Sequence, residues 1–133
     1  MKTFTFLLLL SLFVFQPIFT GAQQSNIVFT SAPEVPFFLF LNGIKQNKNI
    51  GTDIKIIGTD ENKYNVLIAI PHPFFITINN AIKITPGKES VFSIVKKQNN
   101  EFEIIPKGET QISFSSSNKN QQVIKHVTNL SLV

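Results

Sequence analysis

From Gln23 onward the apolar residues are nearly all of the kind that suits a pleated sheet. The segment holds 17 Ile, 8 Val and 9 Phe against 5 Leu, 3 Ala and no Met. Branched and aromatic side chains fit a strand, whereas Ala, Leu and Met are the better helix formers. That bias predicts an all-β fold. No Cys occurs anywhere, so disulfides contribute nothing and packing alone must hold the sheet together.

The first residues read as an export leader. Lys2 supplies a positive end, Phe6 to Phe15 is almost wholly apolar, Pro17 interrupts the run, and Thr20-Gly21-Ala22 offers small residues for cleavage. A membrane anchor needs about 20 apolar residues, more than this run provides. The expectation is a signal peptide over residues 1–22, no membrane span after its removal, and one domain over residues 23–133. That domain has 111 residues (133 less 22). A periplasmic or secreted location follows from the leader.

Without Lys2 the domain carries 11 Lys and 8 acids, and the chain has no Arg. Arg is the residue that grips phosphates and guanine edges in a planar fork, and the Lys residues here are scattered. No nucleic-acid partner is expected, and the Lys side chains are expected on solvated strand faces.

Turn residues divide the domain into short extended pieces. Asn26 to Thr30 is the first. In "PFFLFLNGIKQN", Phe37 to Leu41 reads as a strand covered on both faces, ended by Asn42-Gly43, a pair that tolerates positive φ. Asp53 to Ile57 alternates, with Ile54 and Ile56 on one face and Lys55 on the other. Lys63 to Ile70 puts Tyr64, Val66, Ile68 and Ile70 on one face. Phe74 to Ile78 and Ala81 to Thr85 are two further pieces, joined at Asn79-Asn80 by a hairpin turn or a kink; Pro86-Gly87 is a turn pair.

Ser90 to Lys97 and Glu101 to Pro106 form a hairpin with Phe92 and Ile94 facing Phe102 and Ile104, and Glu101 and Glu103 outside. Gln111 to Ser115 is expected as a strand with Ile112 and Phe114 inward, Ser115 to Gln122 as an exposed polar loop, and Val123 to Leu132 as the last strand. The pattern predicts an antiparallel β-sandwich or barrel-like sheet of about eight to ten short strands.

"PFFLFLNGIKQN", "GTDIKIIG", "NKYNVLIAI" and "NAIKITPGKESVFSIVKKQNNEFEI" together resemble the β-rich N-terminal domain of secreted Bacteroidetes proteins that often carry a helical C-terminal domain. The likeness covers roughly Asn26 to Ile105. It implies a β-rich domain in a Bacteroidetes bacterium, outside the cytoplasm, and brings no activity and no functional residues. Here strand-like sequence stands where the helical domain would follow, and Pro71-His72-Pro73 replaces a more acidic connection.

Chemistry-bearing residues are sparse. His72 lies between two prolines and His126 in the expected last strand, without the spacing of a zinc site. No Gly-x-Ser-x-Gly elbow accompanies the serines. Asp53, Asp60, Glu61 and Asn62 are the densest oxygen-ligand group, readable as a weak cation site or as a polar turn. Glu101 and Glu103 fit a solvated cross-strand charge pattern better than a glycosidase pair. Carbohydrate platforms need flat aromatics, yet the chain has no Trp and one Tyr, and the Phe residues mostly fall at core phase.

No catalytic, cofactor-binding or metal-binding residue is assigned. The expectation is a non-catalytic binding or structural module of the bacterial envelope. Its partner would be an envelope protein or polymer, reached by adding a strand to a sheet edge. The alternatives are a carbohydrate- or peptide-binding module with a defined pocket, and a small hydrolase using Asp53, Asp60, Glu61 or His72.

Overall fold

The computed structural model describes residues 23–129; the expected leader and Leu130 to Leu132 lie outside them. Nine strands and no helix are found among these residues. β1 (Ser25–Ser31), β4 (Asp53–Thr59), β7 (Lys88–Lys96), β8 (Phe102–Gln111) and β9 (Gln122–Lys125) form one sheet in the order β8-β7-β1-β4-β9. β2 (Phe38–Leu41), β3 (Ile44–Lys45), β5 (Lys63–Ile70) and β6 (Ile76–Lys83) form the other, in the order β3-β2-β5-β6.

The all-β reading holds, with two corrections to the architecture. The described strands form two sheets and do not close into a barrel. The five-stranded sheet is also mixed, because β1 pairs in parallel with β7 and β4 in parallel with β9. Alternating apolar residues report which face is buried and carry no strand direction, so the sequence pattern could not separate the two cases.

One apolar cluster draws on both sheets. Ile27, Phe29, Ile54, Ile56, Phe92 and Ile94 come from one, and Leu39, Leu41, Tyr64, Val66, Ile68 and Ile82 from the other. β5 matches its expected span, and the four residues assigned to its inner face are all buried. Asn42 and Gly43 have φ of 49° and 81°, the twist that a two-residue hairpin between Leu41 and Ile44 requires. β7 and β8 pair with Ile94 opposite Ile104, and Lys97 meets Glu103 at 3.3 Å on the exposed side, as the charge pattern anticipates.

Other expectations fail for local reasons. β2 is buried on one face only: Leu39 and Leu41 are inside, while Phe38 and Phe40 are half-exposed. The Phe38 ring is covered by the Lys45 ammonium, 4.0 Å from its centroid, so the apolar run is shielded by a snorkelling side chain and not by a second layer. Asn79-Asn80 is neither turn nor kink, because β6 runs straight through it opposite Val66 and Leu67. Phe74 and Phe75 precede that strand and are 76% and 74% exposed, away from the core phase expected of the Phe residues. β8 ends at Gln111, so Ile112 and Phe114 begin a connection and Phe114 is exposed. The last strand is confined to Gln122–Lys125.

The largest departure is Lys55. It lies on the outer face of β4, yet it is 1% exposed. The β8–β9 connection straps over that face, and Lys55 Nζ donates to the carbonyls of Ser113 at 3.3 Å and Ser115 at 2.9 Å while pairing with Glu89. The expected solvated polar loop is therefore partly structural, and its Gln121 is buried.

Candidate functional site

The polar residues singled out from the sequence are dispersed by the fold. Asp53 opens β4 and Asp60 follows its end, so a strand of seven residues, roughly 20 Å, separates them. The Asp53 carboxylate accepts from Asn118 Nδ2 at 2.7 Å and Gln121 Nε2 at 2.8 Å, which anchors the strap. The backbone amides of Asp60 and Glu61 donate to Tyr64 Oη at 3.2 and 3.1 Å, and Glu61 accepts from Asn42 Nδ2 at 3.1 Å. These are turn contacts. No group of three or more metal-ligating side chains occurs among the described residues. Glu103 is engaged with Lys97.

His126 follows β9, and its backbone amide donates to Ile57 O at 2.9 Å. Its ring meets Tyr64 edge-on, with centroids 5.4 Å apart. Burial lowers its pKa from the ordinary 6.5, opposed by the Asp60 and Glu61 charges, and its buried Nδ1 has no partner among the described residues. Tyr64 is shifted upward from 10.0, chiefly by burial, while the two amide donors pull the other way. The pair is a packing contact across the two sheets.

His72 has a different setting. With Pro73 it lines a cleft of about 470 Å³ at the end of the molecule where β1 and β7 finish. The two strands run parallel with Ser31 opposite Ile94, so both carboxyl ends open into the same space. The segment after β1 is folded back by Ser31 Oγ donating to Val35 O at 2.6 Å and by Val35 N donating to Ala32 O at 2.9 Å. That bend buries Val35 and leaves Glu34 on the rim. Val35, Ile94 and Phe102 supply an apolar floor; Glu34, His72, Lys96 and Lys107 stand around it, exposed. Ser93 Oγ lies 3.2 Å from Thr30 Oγ1, and among the described residues no hydrogen bond links it to His72. The cleft thus brings one histidine and one carboxylate to the same rim, without Asp53, Asp60 or Glu61.

Chemically the cleft offers an oily floor and a rim with two lysines against one glutamate. Comparison with protein-family models, with curated proteins and with solved structures finds no match to this chain.

Sequence reasoning passed over the charged rim of the cleft. Lys96 falls inside an expected strand, Lys107 just beyond the end of one, and Glu34 between two. The β7–β8 hairpin brings Lys96 and Lys107 to one flank, and the parallel β1–β7 pairing, which has no local signature, adds Glu34. The exposed Phe74-Phe75 pair beside Pro73 carried a readable signal, since two adjacent phenylalanines cannot both face the core of one strand.

Proposed function

We propose that this chain is an exported, non-catalytic binding module of the bacterial envelope, and that its ligand is an acidic, partly apolar peptide segment of another envelope protein. The observation that carries the reading is the cleft, whose floor of Val35, Ile94 and Phe102 is ringed by Lys96 and Lys107 against the single carboxylate of Glu34. An apolar floor supplies binding energy, and the excess of cations on the rim selects the sign of the ligand. The leader-like residues 1–22 and the resemblance to secreted Bacteroidetes domains support placement outside the cytoplasm. Amino-terminal sequencing of the protein recovered from cell fractions tests that placement; the reading expects a first residue of Gln23.

Fluorescence anisotropy with labelled peptides alternating Leu and Asp, compared with peptides alternating Leu and Lys, tests the ligand class. The acidic series should bind, and Lys96→Glu with Lys107→Glu should weaken it by about tenfold or more while leaving the fold intact. Equal binding of both series, indifference to the two substitutions, or cleavage of the peptides would sink the reading.

A further inference from the structure

The four sheet edges are not equally guarded. β3 is two residues long and β9 four. β8 carries Pro106, Lys107 and Glu109, and its register with β7 shifts at Val91/Phe92. Short length, proline, charge and bulges all blunt an edge against pairing. The β3/β9 flank is also stitched: Gln46 Nε2 donates to Val127 O at 3.0 Å and Gln46 Oε1 accepts from Val127 N at 2.9 Å. β6 has none of these devices. It runs eight residues in unbroken register with β5, contains no proline, and has its one charge, Lys83, at the end.

The direction of its backbone groups can be worked out. Ile84 N–H donates to Asn62 O at 2.9 Å across a pair that continues the β5–β6 register. Antiparallel ladders alternate, so Ile82, Asn80, Ile78 and Ile76 turn their amides and carbonyls toward β5. Thr77, Asn79, Ala81 and Lys83 turn theirs outward, and all four are exposed. Among the described residues no backbone hydrogen bond reaches that outer side.

We infer that β6 pairs antiparallel with β6 of a second copy of this chain, with Asn79 on the two-fold axis. Only residues with outward groups can exchange bonds, so odd-numbered positions must face odd-numbered positions. With Asn79 opposite Asn79, Thr77 meets Ala81 and no like charges oppose each other. The same register sets Phe75 opposite the second copy's Lys83, where the ammonium covers a ring otherwise 74% exposed, and brings Phe74 alongside. Within this molecule Lys45 already covers Phe38 in that way. Moving the axis to Asn80 is also allowed by the ladder, but it sets Phe75 opposite Thr85 and leaves Phe75 without its cation. A partner of unrelated sequence satisfies the backbone equally well and offers no counterpart to the Phe75–Lys83 match.

Sedimentation equilibrium of the full chain, purified as its expression host processes it, tests the pairing. The wild-type chain should show a monomer–dimer equilibrium. Asn79→Lys and Asn79→Glu each place like charges face to face and should raise the dissociation constant by about tenfold or more. Mixing the two variants should restore association, because opposite charges then meet on the axis. Circular dichroism checks that each variant keeps its fold; Phe75→Ser, which substitutes a residue outside the strand, should weaken association independently. A strictly monomeric wild-type chain, a dimer indifferent to both Asn79 substitutions, or a mixture that stays monomeric would each overturn the pairing.

Discussion

The Lys55 ammonium lies 3.2 Å from Glu89 Oε1 on the outer face of the five-stranded sheet, with the two side chains 2% and 10% exposed. The same carboxylate oxygen accepts from Asn26 Nδ2 at 3.0 Å and from the Ser113 backbone amide at 3.3 Å. Asn26 Nδ2 also donates to Ser113 O at 2.8 Å. An ion pair, an amide and a strand-like strap are thereby fastened into one buried network, which fixes the β8–β9 connection over β1 and β4.

Removing one partner of such a pair strands the other charge away from water. Lys55→Met is expected to destabilise the fold by about 3–5 kcal/mol. Adding Glu89→Gln removes the remaining charge and keeps acceptors for Asn26 and Ser113, so the double variant should recover most of the loss. Urea denaturation of the two single variants and the double, read as a cycle, checks this.

His126 gives the stability a pH dependence of definite sign. Its folded pKa lies below the ordinary 6.5, so in the window beneath 6.5 the unfolded chain takes up a proton that the folded chain refuses. Its contribution is complete above pH 6.5 and is lost as the pH falls toward the folded value. The urea midpoint should therefore drop between pH 7.5 and pH 5.5, and His126→Gln should flatten that drop.

Tyr64 titrates in the opposite sense. It is the only tyrosine and the chain has no Trp, so ultraviolet absorbance reports it alone. Its raised pKa means that stability is complete below 10.0 and is lost as the pH rises through the folded value. Phenolate absorbance should appear only above pH 10 and together with unfolding. Tyr64→Phe leaves the Asp60 and Glu61 amides without their acceptor and should cost about 1–3 kcal/mol in urea denaturation.

Asn47 stands in for a piece of strand. It is 1% exposed; its Oδ1 accepts from Leu39 N at 2.8 Å and its Nδ2 donates to Phe37 O at 3.1 Å. It thus prolongs the β3 ladder after the backbone has turned away. Asn47→Ala leaves the buried Leu39 amide without its acceptor, while Phe37 O keeps the Gly51 amide at 3.3 Å, and a loss of about 1–3 kcal/mol is expected. Amide hydrogen exchange should show Leu39 losing protection before Val66 or Ile68.

What could be read from the residues was what chain-local physics dictates. Lys63 to Ile70 alternates cleanly because one face is buried and the other is not, and Asn42-Gly43 turns because both residues accept positive φ. Lys55, Asn26 and Asn47 defeated such reading. Each is a polar residue buried by a segment distant in sequence or by a backbone group that its side chain happens to match, and composition carries no trace of either. Asn79-Asn80 misled for the converse reason: a turn-prone pair is held extended by the β5 ladder on one side. The cleft was illegible because it depends on β1 and β7 running in the same direction.

That parallel pairing also sets an order of events for a newly made chain. β1 occupies the middle of its sheet, yet both of its neighbours, β4 and β7, lie well downstream, and β9 locks on later still. Apart from the short β2–β3 hairpin, the amino-terminal third has no pairing of chain neighbours with which to begin, and β1 is not flanked on both sides until the β7 segment arrives. Topologies dominated by distant pairings fold in milliseconds to seconds. The sheet built on β1 is thus completed only by the segments made last, β7 through β9.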